Sequence, residues 1–123
     1  MRKKILVVED EAESRDLVVK KLKDNHYIAS GAGSAAEVID MFSYDRPDLM
    51  PMDIVLPDMD AYTCIETLQQ KGVLRDTAVI FVTGKDLDVK SIEKRMNDLG
   101  AFAYMQKPVL PEEIIAKVRE IVG

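Results

Sequence analysis

Four hydrophobic runs in this chain each end on residues able to hold or transfer charge. Ile5-Leu6-Val7-Val8 stops at Glu9-Asp10, Leu49-Met50-Pro51-Met52 at Asp53, Val79-Ile80-Phe81-Val82 at Thr83, and Ala101-Phe102-Ala103-Tyr104-Met105-Gln106 at Lys107-Pro108. Gathered in one crevice, these tips supply carboxylates, a hydroxyl and an ammonium. Carboxylate oxygens suit Mg²⁺, which takes octahedral oxygen ligands and keeps several waters. The hydroxyl and the ammonium suit the oxygens of a phosphoryl group. The gathering has one requirement: the runs must be parallel strands of a single sheet, because open α/β sheets bind ligands outside the carboxyl ends of their strands.

The segments between the runs meet that requirement. Apolar residues recur at helical spacing in Leu17/Val18/Leu22, Ala35/Val38/Ile39/Phe42, Ala61/Ile65/Leu68, Val89/Ile92/Met96/Leu99 and Ile114/Ile115/Val118/Ile121/Val122. A weaker strand signal, Tyr27-Ile28-Ala29-Ser30, lies between the first two helices. Five strand-helix units follow, which predicts a parallel sheet covered by helices on both faces through right-handed crossovers. Ser34 is placed to cap the second helix, Pro47 and Gly72 lie in breaks, Gly100 stops the fourth helix, and Pro111 suits the first turn of the last.

A chain of 123 residues accommodates one core, so residues 1–123 are read as a single domain. The formal net charge of -5 and the lack of a basic cluster beyond Arg2-Lys3-Lys4 argue against nucleic-acid binding, which needs a basic face. The single cysteine, Cys64, cannot form an internal disulfide. No apolar stretch is long enough for a signal peptide or a membrane span, so the expected location is cytoplasmic, away from membranes. His26, the one histidine, falls between a helix and a strand, away from the tips, and reads as a surface residue.

Taken together, Val7-Val8-Glu9-Asp10-Glu11, Pro47-Asp48-Leu49, Met52-Asp53-Ile54-Val55-Leu56-Pro57, Val82-Thr83-Gly84, Gly100-Ala101 and Tyr104 ahead of Lys107-Pro108 resemble the receiver domain of two-component response regulators, along essentially the whole chain. The resemblance implies a flavodoxin-like, three-layer doubly wound (βα)5 fold with strand order 2-1-3-4-5. It implies a phosphoacceptor signalling switch in which Asp53 takes a phosphoryl group from a sensor histidine kinase or a histidine phosphotransfer protein. Mg²⁺ is then held by Glu9, Asp10, Asp53 and the backbone carbonyl of Val55. Thr83 and Lys107 contact the phosphoryl oxygens, Thr83 and Tyr104 carry the switch, and a cis bond precedes Pro108. Such a domain promotes chemistry on itself and is not an enzyme acting on an external substrate. Its output face, formed by the fourth helix, fifth strand and fifth helix, serves an unknown downstream protein. A monomer is the default, with a dimer through that face as the alternative.

Two departures and one pair of variable positions bear on the site. Pro51 stands where the family usually has an aliphatic strand residue, and proline has no N–H for a central ladder; the strand is expected to stay in place with a local distortion that water or a shifted register partly satisfies. Ala61 replaces a frequent glycine, which disfavours positive φ and predicts another loop conformation. Val55 and Lys85 occupy the variable positions along the path of hydrolytic water, and an apolar Val55 predicts a long-lived phosphoryl group. Two rival readings remain: a degenerate receiver acting as a phosphorylation-independent interaction module, and a phosphohydrolase. The intact acidic set argues against the first; the absence of an acid two residues after Asp53 argues against the second.

Overall fold

All five strands run parallel, in the order β2-β1-β3-β4-β5. The computed structural model describes residues 2–74, 76–84 and 88–123; Lys85 therefore lies outside the described residues. In chain order the elements are β1 (Lys4–Val8), α1 (Ala12–Asp24), β2 (Ile28–Ala32), α2 (Ala35–Met41), β3 (Leu49–Asp53), α3 (Ala61–Gln70), β4 (Ala78–Thr83), α4 (Val89–Leu99), β5 (Ala103–Gln106) and α5 (Pro111–Val122). The flavodoxin-like topology expected from the resemblance is the one observed.

Strand alternation divides the core between two faces. Leu6, Val8, Met50, Met52, Val79 and Phe81 point toward α2, α3 and α4. Ile5, Val7, Leu49 and Ile80 point toward α1 and α5, where Val18, Leu22, Ile114 and Val118 meet them. The central strands are apolar on both sides, as a sheet covered twice requires. Each fully buried Leu, Ile, Phe or Met contributes about 1.5–3 kcal/mol, so the middle of the sheet is the rigid platform on which the tips are mounted.

Helix boundaries follow local chemistry. The Ser34 side chain accepts from the N–H of Glu37, that of Asp60 from Thr63 and that of Asp88 from Lys90. Gly100 closes α4 in the left-handed region at φ 71°, where glycine carries no Cβ penalty. Its N–H and that of Ala101 both return to the Met96 carbonyl. The fourth hydrophobic run consequently enters the sheet only at Ala103, and Phe102 is left exposed. Ala61 is the first residue of α3, where helical φ is required, so its methyl group meets no conformational obstacle. Leu17, expected on the buried stripe of α1, is instead 48% exposed; the helix is rotated to bring Val18 and Leu22, four residues apart, onto the sheet.

Pro51 is buried inside β3 and leaves its mark on one side only. Toward β4 the ladder pairs every residue from Leu49 to Asp53. Toward β1 the pairs are Ile5 with Leu49 and Val8 with Met52, which flank the proline in the same register. The missing N–H interrupts that ladder without sliding the strand. The shifted register is thus ruled out, and Asp53 reaches the sheet edge in step with Val82.

Candidate functional site

At the carboxyl edge, each tip is delivered by a neighbouring strand. Glu9 leaves β1 with its N–H donating to the Ala32 carbonyl at 3.0 Å and its carbonyl accepting from Arg15 Nη1 at 2.9 Å. Asp10 follows and is exposed, while Asp53 ends β3 at only 6% exposure. Each of the three acids presents an oxygen within 4.8 Å of the other two. Oxygens that share an ion at about 2.1 Å lie about 3–4 Å apart, so small side-chain adjustments fit this trio to Mg²⁺. Lys107 approaches from β5: its Nζ lies 3.1 Å from Asp53 Oδ2 and 3.5 Å from Glu9 Oε2. The Lys107–Pro108 bond is cis.

Burial and the crowding of charge together set the proton affinities. Burial, then the hydrogen bond and negative charge of Glu9, push Asp53 up to about 7, against the pull of Lys107. Burial also raises Glu9, but hydrogen bonding with Asp53, the charge of Lys107 and the N–H of Glu11 outweigh it, and its pKa falls. Within this pair the proton affinity of Asp53 is raised and that of Glu9 lowered. Burial lowers Lys107, but the hydrogen bond and charge of Asp53 more than compensate, and its pKa is raised. The ammonium is therefore permanent, and the titratable group at neutral pH is the carboxylate it touches.

The remaining predicted residues, Thr83, Tyr104 and Val55, lie on β4, on β5 and in the loop after β3. Thr83 ends β4 at 1% exposure, and its hydroxyl donates to the Gly84 carbonyl at 2.9 Å. Tyr104 is half-buried in β5 opposite Phe81 and packs against the core on the α3 and α4 side. Val55 lies in the loop after β3 with 69% of its surface exposed. A pocket of about 280 Å³ is lined by Glu9, Asp53 and Lys107 together with Val7, Val18, Pro51, Val82 and Ile114, and so reaches from the site toward α1 and α5.

Two residues were not singled out by sequence reasoning. Asp58, in the loop after β3, accepts from the N–H groups of Ala35 at 2.9 Å and Ala36 at 2.8 Å, which ties this loop to the start of α2. Arg15 crosses from α1 to the Glu9 carbonyl along Gly31 and Gly33. The available signal was Gly31 near the end of the weak second strand and Gly33 just beyond it, two residues apart and so able to leave room for a long side chain.

Fold and site together define a class, the doubly wound parallel α/β domain with an acidic crevice at the carboxyl edge of its sheet. The chain belongs to the response regulator receiver domain family, which it matches over residues 5–119. It is 31% identical over 123 residues to the response regulator MprA of Mycobacterium bovis, covering 98% of this chain and 51% of that protein. MprA of Mycobacterium avium is 31% identical over 120 residues, covering 96% and 50%. The chain thus spans about half the length of these curated relatives. A CheY-like receiver domain protein from Methanospirillum hungatei superposes with a TM-score of 0.85 at 29% identity, over 98% of this chain and 93% of that one. The chemotaxis response regulator CheY4 of Vibrio cholerae shares the fold, with a TM-score of 0.87 at 19% identity over 99% and 100%. This chain is a receiver domain of two-component signalling.

Proposed function

We propose that this chain works as a single phosphoacceptor unit: Asp53 takes a phosphoryl group from a sensor histidine kinase or a histidine phosphotransfer protein, and the modification redirects the face formed by α4, β5 and α5. The observation that carries the reading is the convergence of Glu9, Asp10 and Asp53 within 4.8 Å, with the Lys107 ammonium 3.1 Å from Asp53. Glu9, Asp10, Asp53 and the Val55 backbone carbonyl would hold Mg²⁺. When bound, that ion offsets the repulsion between the acids and an incoming phosphoryl dianion.

The chain's own groups do the rest. A deprotonated Asp53 oxygen attacks phosphorus as the bond to the donor breaks, and an aspartyl phosphate results. Lys107 is already placed to accompany charge that moves from the carboxylate to the phosphoryl oxygens. Thr83 must give up its bond to the Gly84 carbonyl to donate to the phosphoryl group. That rotation vacates space beside β4, which Tyr104 on β5 can enter, so the site communicates with the output face through two adjacent strands. The domain alters only itself, acts in the cytoplasm on an unidentified protein target, binds no nucleic acid, and is monomeric before modification.

The test is to treat the protein with acetyl phosphate and Mg²⁺, reduce it with borohydride, and map the peptides. An aspartyl phosphate is reduced to homoserine, expected at position 53 alone. Homoserine at another position, or none, contradicts the assignment.

A further inference from the structure

We infer that Arg15 is a positioning residue for the metal-binding turn, and that Gly31 and Gly33 are the trough that lets it act. This rests on the proposed Mg²⁺ site and adds to it residues that contact neither metal nor phosphoryl group. Glu9 is fixed at both ends of its backbone: its N–H donates to Ala32, and its carbonyl accepts from Arg15 Nη1 at 2.9 Å. The second bond sets the plane of the peptide joining Glu9 to Asp10, and with it the directions in which the two acids leave the strand.

The reach depends on β2. Arg15 starts near the amino end of α1 and lies against Gly31 of β2 and Gly33 just beyond it where it reaches Glu9. A Cβ built at Gly31 would lie 2.9 Å from Arg15 Cδ and 3.0 Å from Cγ, and one at Gly33 would lie 2.8 Å from Nη1. Real Cβ contacts are not that short, so either alanine must push the arginine aside. Neither glycine has a positive φ, which excludes backbone conformation as the reason for glycine here. The side chain is 22% exposed, its stem laid over the glycines in the manner of long cationic side chains. Residues that orient metal ligands without touching the ion typically govern affinity by about 10- to 100-fold.

Two effects of opposite sign make this testable. Arg15 is a cation near a cation site, so if charge alone mattered, Arg15→Ala would tighten Mg²⁺ binding. Positioning predicts the reverse. The chain has no tryptophan to report on the metal, so MgCl₂ is titrated calorimetrically into the full chain, with melting temperature recorded for each variant. Arg15→Ala is expected to weaken Mg²⁺ roughly tenfold. Gly33→Ala, which keeps the charge but displaces Nη1, should weaken it in the same direction. The double variant should bind no worse than Arg15→Ala alone, because the glycine acts through the arginine. Arg15→Lys should recover part of the loss.

Unchanged or tighter binding in Arg15→Ala, or additive losses in the double variant, overturns the inference while leaving the metal site standing. If Arg15→Ala does not fold, unchanged affinity in Gly33→Ala overturns it equally. Failure of the unmodified chain to bind Mg²⁺ overturns the metal site itself, and this inference with it.

Discussion

In the proposed function Asp53 is the residue on which the chemistry turns, and its environment makes it a reluctant anion. Its pKa in the metal-free fold, about 7, stands above the ordinary 3.8 because burial and Glu9 outweigh Lys107. Between those values the folded chain holds a proton that the unfolded chain has released. Stability of the metal-free protein should therefore fall as pH rises from 4 to 7, by at most about 1.4 kcal/mol per pH unit, and level off above. Asp53→Asn should remove most of this slope and raise stability at pH 8; urea titrations across that range check it, and a slope that survives the substitution would locate its origin elsewhere. Val55 carries a second prediction at this scale. Exposed and apolar, it cannot orient water, so Val55→Gln should shorten the phosphoryl lifetime. Decay followed by intact mass would show equal rates if the position were irrelevant.

At the scale of elements, β3 sets the height of Asp53 and is built with a flaw. Pro51 interrupts the β1 ladder and lines the pocket of about 280 Å³ at the site. Leucine in its place would restore a donor and fill part of that space. Pro51→Leu should therefore raise stability by about 1 kcal/mol, the worth of one hydrogen bond, without abolishing phosphorylation. A melting temperature that stays level or drops would show that the proline is accommodated without loss. Asp58 ties the loop after β3 to α2, and its pKa is lowered first of all by the N–H groups of Ala35 and Ala36. Its folded value lies below the unfolded one, so its contribution is present at neutral pH and is lost as pH falls through the acid range. Asp58→Ala should lower the melting temperature by a few degrees at pH 7 and by less at pH 3; an equal drop at both would assign the effect to something other than the charged carboxylate.

These elements also show what could be read from residues alone. The strand tips, the helical stripes and the capping residues Ser34, Gly100 and Pro111 announce themselves through local chemistry; the caps are found where expected, and the stripes are too except at Leu17 and Val89, which are exposed. Strand order followed from the family resemblance, because periodicity says nothing about which strand lies beside which. Leu17 was misplaced because a leucine next to the stripe looks the same in sequence as one within it. Arg15 and Asp58 escaped notice because their partners are main-chain groups, whose positions exist only once β2 and α2 have docked beside β1 and β3.

At the scale of the whole molecule, the sheet delivers mutually repelling carboxylates to one edge, which the Mg²⁺ of the proposed function would make compatible. No helix among the described residues is long and apolar enough to cross a membrane, and the relatives are response regulators about twice this chain's length. The central claim is that this arrangement captures a phosphoryl group on Asp53 and does so with Mg²⁺. The most direct measurement is intact mass after incubation with acetyl phosphate and Mg²⁺, beside an EDTA control and the Asp53→Asn variant. The account predicts one phosphoryl adduct on the unmodified chain and none in either control. An adduct that persists in Asp53→Asn or in EDTA, or no adduct on a folded chain shown to bind Mg²⁺, would contradict it.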